Sequence, residues 1–292
     1  MTPLKKCLLV VNPISGGNDK AELVSAVEAF AKEQNVELIV FETTGEDDEE
    51  VISELCEKNK AERVLVAGGD GTIKMVAEAI GHHNVIIGVL PAGSANGLSV
   101  DLELSNDLQE NLVIAFGDKY MDMDMVCIND KKSLHLSDIG VNAELIHNYE
   151  NGTIRGKLGY MLQAINTLTD LDTPFNAVIE ANGDIIETEA RMVVIANTQR
   201  YGTGVTINPI GVMDDGKFEI VILKSLDVFL IGKILAGNMP IDSAEHIEII
   251  STDKAVITTN KPVSFQIDGE SCGMEQKLIV NILHRQMRVA IP

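Results

Sequence analysis

One stretch constrains the fold more than any other: residues 63–74 read RVLVAGGDGTIK. Its apolar run, residues 64–67, predicts a buried strand, and apolar side chains at helical spacing after the glycine motif at 68–72 predict a helix. Strand, glycine turn and helix in this order favour an anion site. Glycine allows close backbone approach, and the free N–H groups of a helix N-terminus point into the turn. We expect Thr72 to cap that helix.

Asp70 lies inside this motif and refines the expectation. A carboxylate in a phosphate-binding turn repels the phosphate unless a cation lies between them, and Mg²⁺ is the natural bridge. The turn is therefore interpreted as a site for a metal-nucleotide complex. The alternative is a tight strand-to-helix turn in which Asp70 is simply solvated. The motif is neither a GxxxxGK[ST] loop nor a complete dinucleotide fingerprint, because the third glycine is missing.

Charge narrows the classes of partner. The 292-residue chain carries 23 Lys and Arg against 44 Asp and Glu, a formal net charge of −21. Such a surface should repel nucleic acid and anionic lipid, so any membrane contact must be local. No signal peptide is recognisable, and no apolar run approaches the ~20 residues of a spanning helix. We expect a cytoplasmic protein with two domains.

The cysteines give no metal or redox motif. Four of them lie far apart without a CxxC pair, which predicts free thiols. The histidines are equally scattered and show no metal-ligand spacing.

The first half of the chain predicts a parallel sheet. Four apolar strands, each followed by a turn and most by a helical pattern, are expected at 5–12, 36–41, 64–67 and 85–90. Repeated strand-to-helix units imply a doubly wound α/β domain whose loops all emerge at one edge and converge on one site.

After Gly117 the pattern changes to alternation within strands. Met121, Met123 and Met125 alternate with Asp122 and Asp124. This spacing places both aspartates on one face of a predicted half-solvated strand. This half is predicted to be mostly antiparallel β, arranged as a sandwich. The expected strands lie at 134–138, 175–181, 191–197, 218–223, 247–250, 255–258 and 263–268, and helices are expected at 142–171 and 226–239.

Two acidic turns lie in this second half, at residues 214–216 (DDG) and 268–270 (DGE). Either is explained by an ordinary hairpin turn. In the later turn, Gly269 would allow Glu270 to be presented outward.

Five motifs occur in order along the chain: Asn12-Pro13 with Ser15-Gly16-Gly17, GGDGT at 68–72, PAGSAN at 91–96, Asp215-Gly216 and Asp268-Gly269-Glu270. In this order and spacing they resemble the motifs of the diacylglycerol kinase catalytic-domain family, and those of the soluble bacterial lipid kinases most of all. Sphingosine and ceramide kinases are relatives. NAD kinases share the glycine turn but match the later motifs less well.

The resemblance implies a fold, two domain assignments and a set of site residues. Residues 1–124 would form the α/β ATP-binding domain, with 284–292 as an optional last strand, and 125–283 the β-sandwich lipid-binding domain. Glu270 would be the catalytic base. Mg²⁺ would bridge the ATP phosphates to Asp70 of the GGDGT motif, with Asp124 in support as the acidic partner of that motif. A structural metal would be held by Asp215 and the carbonyls of Val212 and Lys217. The implied ATP site comprises Asn12, Thr44, Gly68, Gly69, Asp70, Gly71, Thr72 and Ser94.

One departure bears on the substrate. Where the bacterial kinases commonly read PxGTxNDFA, this chain reads PAGSANGLS, so Ser94 keeps a hydroxyl but Gly97 replaces an aspartate. The change resembles sphingosine and ceramide kinases, and it leaves the identity of the lipid open.

The resemblance implies a reaction in which Glu270 accepts the proton of a lipid hydroxyl that attacks the γ-phosphate of Mg²⁺-bound ATP. Residues 154–165 and the helix at 226–239 are candidates for the apolar route of the acyl chains, and the first of them for a transient membrane contact. A domain-packing helix is the preferred alternative for residues 154–165, and a core helix is the preferred alternative for 226–239. The enzyme would then be cytoplasmic and peripherally membrane-associating, with a homodimer as an option. A nucleotide-binding regulator without catalysis is the alternative from another class.

Overall fold

The computed structural model describes residues 4–17, 19–81, 84–94, 96–140, 174–200, 205–225 and 245–292. The chain divides into two compact units. Unit 1 comprises Met1–Met123 and Arg285–Pro292, and unit 2 comprises Asp124–His284.

Unit 1 is built on parallel strands in the order β2-β1-β3-β4. The last residues of the chain add a further parallel strand, because Arg288 pairs with Ile86 of β4. The strands are β1 (Lys6–Val11), β2 (Glu37–Glu42), β3 (Arg63–Gly68) and β4 (Ile86–Pro91). The helices are α1 (Ala21–Glu33), α2 (Asp48–Asn59), α3 (Asp70–Ile80), α4 (Gly97–Asp101) and α5 (Leu108–Phe116).

The core of unit 1 explains the continuous apolar runs of the sequence. Every residue of β3 is buried, as expected for a parallel strand with both faces covered. Leu9, Leu65 and Leu90 from three adjacent strands pack with Val27 of α1 and Leu112 of α5 in one cluster. Burial of side chains of this size contributes ~1.5–3 kcal/mol each relative to exposure.

Unit 2 is an antiparallel assembly. Its strands run in the order β12-β11-β10-β7-β13-β14, and the hairpin β8–β9 pairs with β13. The strands are β5 (Tyr120–Ile128, which begins in unit 1), β6 (Lys131–Ser133), β7 (Leu136–Gly140), β8 (Phe175–Ala181), β9 (Asp184–Ala190), β10 (Met192–Ala196), β11 (Phe218–Leu223), β12 (Ile247–Thr252), β13 (Lys254–Ile267) and β14 (Glu270–Ala290, which ends in unit 1).

Several strand boundaries differ from the sequence-based expectation. The strands predicted at 255–258 and 263–268 are one strand, β13, whose pairing with β14 shifts register between Thr258 and Val263. Neither β9 nor most of β14 was predicted. Both carry many exposed polar residues, because antiparallel strands with one solvated face need only alternate apolar positions.

Candidate functional site

The glycine turn of unit 1 forms where β3 runs directly into α3. A Cβ on Gly68 would lie 2.6 Å from the side-chain atoms of Thr72, so only glycine fits there. The expectation that Thr72 caps the helix is wrong. The N-cap is Gly69, and Thr72 lies inside the helix, where its hydroxyl accepts a hydrogen bond from Asn12 Nδ2 at 3.1 Å.

The loop after β4 approaches this turn through its backbone. A Cβ on Gly93 would lie 2.5 Å from the Cα of Gly69, so position 93 requires glycine, whereas a Cβ on Gly69 would make a tight contact of 3.2 Å with the Cα of Gly93. Asn96 holds the loop in shape, because its Oδ1 accepts the Gly93 N–H at 2.8 Å and its Nδ2 donates to the Gly93 carbonyl at 3.0 Å. Asn96 has a left-handed backbone (φ 52°) and immediately precedes α4.

Asp70 joins the two loops. Its carboxylate accepts the backbone N–H of Gly97 at 2.6 Å and that of Leu98 at 3.0 Å, and the residue is 9% exposed. These N–H groups belong to the first turn of α4, where a negative charge complements the helix dipole. The alternative of a solvated Asp70 is therefore wrong. The carboxylate is the negative group that binds the N-terminal N–H groups of α4.

The loop after β1 contacts the same region. In addition to the bond from Asn12 to Thr72, the Ser15 hydroxyl lies 3.1 Å from the Ala92 carbonyl, to which it donates. Lys20, which sequence reasoning did not single out, is 7% exposed, and its ammonium donates to the Ser15 carbonyl at 2.6 Å. Three loops at the carboxyl ends of β1, β3 and β4 are thus tied together within unit 1.

Thr44 and Ser94 are placed differently. The Thr44 N–H and the Gly45 N–H both donate to the carboxylate of Asp48, at 2.9 and 2.8 Å. Asp48 is the first residue of α2. The Ser94 side chain is exposed at the tip of its loop.

The two aspartates of β5 have different environments. Asp124 is fully buried, which contradicts the expectation of a half-solvated strand. Its Oδ2 accepts the Gly216 N–H at 2.7 Å, and its Oδ1 lies 2.7 Å from His284 Nδ1. Asp122 belongs to unit 1 and pairs with Arg288 at 2.6 Å. Asp122 is the largest of the influences that raise the pKa of that guanidinium.

The DG turn at 214–216 and the residue before it, Met213, both contact Asp124. The Asp124 N–H donates to the Met213 carbonyl at 2.8 Å, in addition to the bond from Gly216. Asp215 closes the turn by accepting the Lys217 N–H at 3.0 Å. The side chain of Asp215 is exposed, and so is Val212, whose carbonyl was expected to bind the structural metal.

The DGE turn connects β13 and β14. Asp268 (φ 50°) and Gly269 (φ 89°) are the two central residues, and Glu270 is exposed as the first residue of β14. Positive φ at both central positions defines a tight hairpin turn that matches strand twist. The turn presents Glu270 outward, as the DGE pattern predicted.

The predicted site residues divide between the units. Asn12, Thr44, Ser94 and the GGDGT motif belong to unit 1, whereas Asp124, the DG turn and Glu270 belong to unit 2. The two candidate segments for an apolar route or membrane contact, 154–165 and 226–239, lie outside the described residues, as does Ala95.

Within the described ranges, no helix is long and apolar enough to cross a membrane. The same part of the chain contains no group of three or more His, Cys, Asp or Glu side chains that could hold a metal. Mg²⁺ in phosphoryl-transfer enzymes is commonly bound by one or two carboxylates plus substrate phosphates and water. A carboxylate oxygen has two lone pairs and can accept an N–H while it binds a cation, so Asp70 fits a metal that arrives with phosphates.

The cysteines are free thiols, as predicted. Burial raises the pKa of Cys7 to about 12 and that of Cys56 to about 11. Burial also lowers the pKa of Arg63, whose guanidinium donates to the Ala115 carbonyl at 2.6 Å. None of these groups belongs to the loops described above.

Each half of the chain matches a known protein family. Residues 6–128 match the family model for the diacylglycerol kinase catalytic domain, and residues 137–290 match that for the YegS C-terminal NAD kinase beta sandwich-like domain. Together with the doubly wound sheet and its glycine turns, these matches define a phosphotransferase of the lipid kinase class. The chain belongs to the diacylglycerol kinase catalytic-domain family, with a YegS-type C-terminal domain. The predicted fold class is confirmed.

Individual relatives agree with this assignment. A diacylglycerol kinase of Bacillus subtilis (strain 168) is 23% identical over 297 residues, covering 99% of this chain and 97% of its own. One from Staphylococcus carnosus (strain TM300) is 23% identical over 295 residues, covering 98% and 94%. A crystal structure of a diacylglycerol kinase from Bacillus anthracis str. Sterne has a TM-score of 0.75 at 19% identity, covers 100% of this chain and 98% of its own, and shows the likeness in fold. The family implies a nucleotide substrate.

Proposed function

We propose that this chain is an ATP- and Mg²⁺-dependent lipid kinase that phosphorylates the hydroxyl of diacylglycerol or a related lipid. The observation that carries the proposal is the contact between Asp70 and the N-terminus of α4, which fixes the GGDGT turn against the loop after β4. Phosphoryl transfer depends mainly on positioning and charge neutralisation, so loops held rigid before substrate arrives suit it.

In this proposal the nucleotide phosphates bind over the glycine turns of unit 1. Gly68, Gly69 and Gly93 have no Cβ atoms, so the phosphates can approach the backbone of these loops closely. Asn12 and Thr72 hold the first loop beside the turn. Thr44 and Ser94 are exposed residues, and the Thr44 hydroxyl contacts the Asp48 carboxylate at 3.2 Å. The buried ammonium of Lys20 adds positive charge behind the first loop.

Mg²⁺ bound with the phosphates would supply neutralisation of their negative charge. Asp70 is the residue that would hold it, through its carboxylate oxygens. Asp124 is a weaker candidate for direct ligation, because the residue is 0% exposed against 9% for Asp70, and its Oδ1 lies against the imidazole of His284. We assign Asp124 a supporting role in fixing the DG turn.

Glu270 is the proposed general base. As the lipid hydroxyl oxygen attacks the γ-phosphorus, its proton passes to a Glu270 carboxylate oxygen, and the bond to ADP breaks. General-base help of this kind commonly contributes ~10²- to 10⁴-fold. Glu270 is exposed on a two-residue hairpin, so it is accessible to a substrate that arrives from solvent or a membrane surface.

A second, structural metal is proposed at the DG turn of unit 2. Asp215 uses Oδ1 to accept the Lys217 N–H and retains its other oxygen for a ligand bond. The carbonyls of Val212 and Lys217 would complete the protein donors. Hard oxygen donors of this kind suit Mg²⁺ or Ca²⁺.

The lipid itself is the open part of the proposal. Position 97 contributes a backbone N–H to Asp70, where an aspartate in the bacterial pattern would add a carboxylate. Gly97 favours a sphingoid base or ceramide as the alternative acceptor. With a net charge of −21, contact with an anionic bilayer would be transient and local, at the cytoplasmic surface.

The test is incubation with γ-labelled ATP, Mg²⁺ and a panel of lipids, with products identified by mass. The panel comprises diacylglycerol, monoacylglycerol, phosphatidylglycerol, sphingoid bases and ceramide in mixed micelles. We expect one phosphorylated lipid, formed only with Mg²⁺. Titration of ATP by calorimetry runs in parallel, and nucleotide binding without any product would contradict the proposal in favour of a regulator.

A further inference from the structure

Gln266 lies two residues before the DGE turn and contacts both a buried carboxylate and the turn itself. It is 1% exposed, near the end of β13, and it pairs directly across the strands with Asp138 of β7. Its Nε2 donates to Asp138 Oδ2 at 2.5 Å, and its Oε1 accepts the Gly269 N–H at 2.7 Å.

The orientation of the Gln266 amide follows from these two partners. Only Nε2 can donate to a carboxylate, and only Oε1 can accept from a backbone N–H. Asp138, which is fully buried, therefore selects the rotamer of Gln266 that offers Oε1 to the turn. A charge-assisted bond of this kind is stronger than a bond between neutral groups.

Asp268 anchors the other side of the same turn. Its carboxylate accepts the Ser133 hydroxyl at 3.0 Å, the Leu134 N–H at 2.7 Å and the His135 N–H at 3.0 Å. The two residues that precede Glu270 are therefore both bonded to buried or partly buried partners. Asp268 is bonded through its side chain, and Gly269 through its backbone N–H.

We propose that Gln266 and Asp138 are positioning residues for Glu270, acting through the Gly269 N–H. The inference rests on the proposed role of Glu270 as base, and it adds two residues that no motif of the family pattern singled out. A base must lie within hydrogen-bond reach of the hydroxyl, and a misplacement of about 1 Å can cost ~10²-fold in rate. A displaced DGE turn should therefore lower kcat and leave nucleotide binding unchanged.

An amide-carboxylate swap tests this. Gln266→Glu places a second carboxylate opposite Asp138 and removes the donor, so we expect kcat to fall about 10- to 100-fold with the KM for ATP within about 2-fold. Adding Asp138→Asn supplies a donor from the other strand, and the carboxylate introduced at position 266 can still accept the Gly269 N–H. The double variant should recover kcat to within a few-fold of wild type.

The matched control is Glu219→Gln. Glu219 is 3% exposed on β11 of the same unit and accepts Asn208 Nδ2 at 2.7 Å, so this change also alters a buried carboxylate-amide pair. We expect it to leave kcat unchanged even if it lowers stability. The single Gln266→Glu variant should also lose activity more steeply than wild type as pH rises, because a shared proton restores the bond at low pH.

Hydrogen exchange of the peptide that contains residues 268–270, followed by mass spectrometry, gives a readout independent of activity. Faster exchange is expected in Gln266→Glu and near wild-type exchange in the double variant. Unchanged exchange and unchanged kcat in Gln266→Glu would overturn the proposal, as would a folded double variant no more active than the single one. If wild type phosphorylates no lipid, the proposed function fails, and exchange alone then decides whether this pair holds the turn.

Discussion

His284 Nδ1 lies 2.7 Å from Asp124 Oδ1, and these two residues are the last and the first of unit 2. A polar contact therefore links the residue at which the chain enters this unit to the residue at which it leaves. The imidazole side chain is 47% exposed, whereas the carboxylate is fully buried and depends on its partners for compensation.

The first prediction concerns this pair. His284→Ala should lower the free energy of unfolding by ~1–3 kcal/mol, because it deprives a buried carboxylate of a partner. His284→Gln should cost less, since its amide can still donate. The measurement is urea denaturation of each variant. His246→Ala, which removes a histidine bonded to the Ser225 hydroxyl, is the control, and equal effects at both positions would contradict the prediction.

The second prediction separates two roles of Asp70. Asp70→Asn leaves one oxygen to accept two N–H groups, so it should lower the free energy of unfolding by ~1–3 kcal/mol even without nucleotide. The same variant should lose Mg²⁺-dependent ATP binding in calorimetry. Asp107→Asn is matched, because Asp107 accepts Gln109 and Glu110 N–H groups as the N-cap of α5 but is solvent-exposed, and asparagine is a good N-cap. If the two variants are equally stable, Asp70 does not join the loops as described.

The third prediction concerns the close approach of Gly93 and Gly69. Gly93→Ala places a Cβ 2.5 Å from the Gly69 Cα, so the loops must separate. Overpacking of this kind typically costs ~1–3 kcal/mol, and ATP affinity should fall with it. Gly81→Ala at the end of α3 is the control, because its φ of −52° suits alanine and its nearest neighbour would lie at 3.4 Å. Normal ATP affinity in Gly93→Ala would show that the contact is not needed.

The fourth prediction follows from the buried thiols. The pKa of Cys7 is raised to about 12 and that of Cys56 to about 11, from an ordinary value of 9.0. Above pH 9 the unfolded state loses thiol protons that the native state keeps, so stability falls as pH rises, up to about pH 11 for Cys56 and 12 for Cys7. Each thiol contributes a slope of up to ~1.4 kcal/mol per pH unit. Cys7→Ala with Cys56→Ala should flatten this dependence, and identical slopes would contradict it.

Local sequence patterns predicted the strands and turns whose conformation depends on neighbouring residues. The apolar runs of β1, β3 and β4 and the glycine turn after β3 were predictable, because a parallel strand buried on both faces leaves a continuous signature. The Asp268-Gly269 hairpin was predictable because a two-residue hairpin turn needs positive φ at its central residues, and Asp-Gly is one of the few pairs that adopt it readily.

Long-range partners could not be predicted. Asp122 and Asp124 share a face of β5 by periodicity, yet one pairs with Arg288 and the other is buried against His284, both far away in sequence. The same holds for Asp70, whose partners Gly97 and Leu98 belong to another helix. A turn motif shows that a carboxylate is present, whereas the tertiary fold decides which N–H groups it accepts.

The role of Glu270 as general base is tested by comparing Glu270→Gln with Glu275→Gln, a charge-matched change further along β14. Each is assayed for ATP binding by calorimetry and for turnover with the lipid that wild type phosphorylates. We predict that Glu270→Gln binds Mg²⁺-ATP with unchanged affinity and loses ~10²- to 10⁴-fold in kcat, while Glu275→Gln retains both. Turnover of Glu270→Gln near that of wild type would contradict the assignment of Glu270 as the general base.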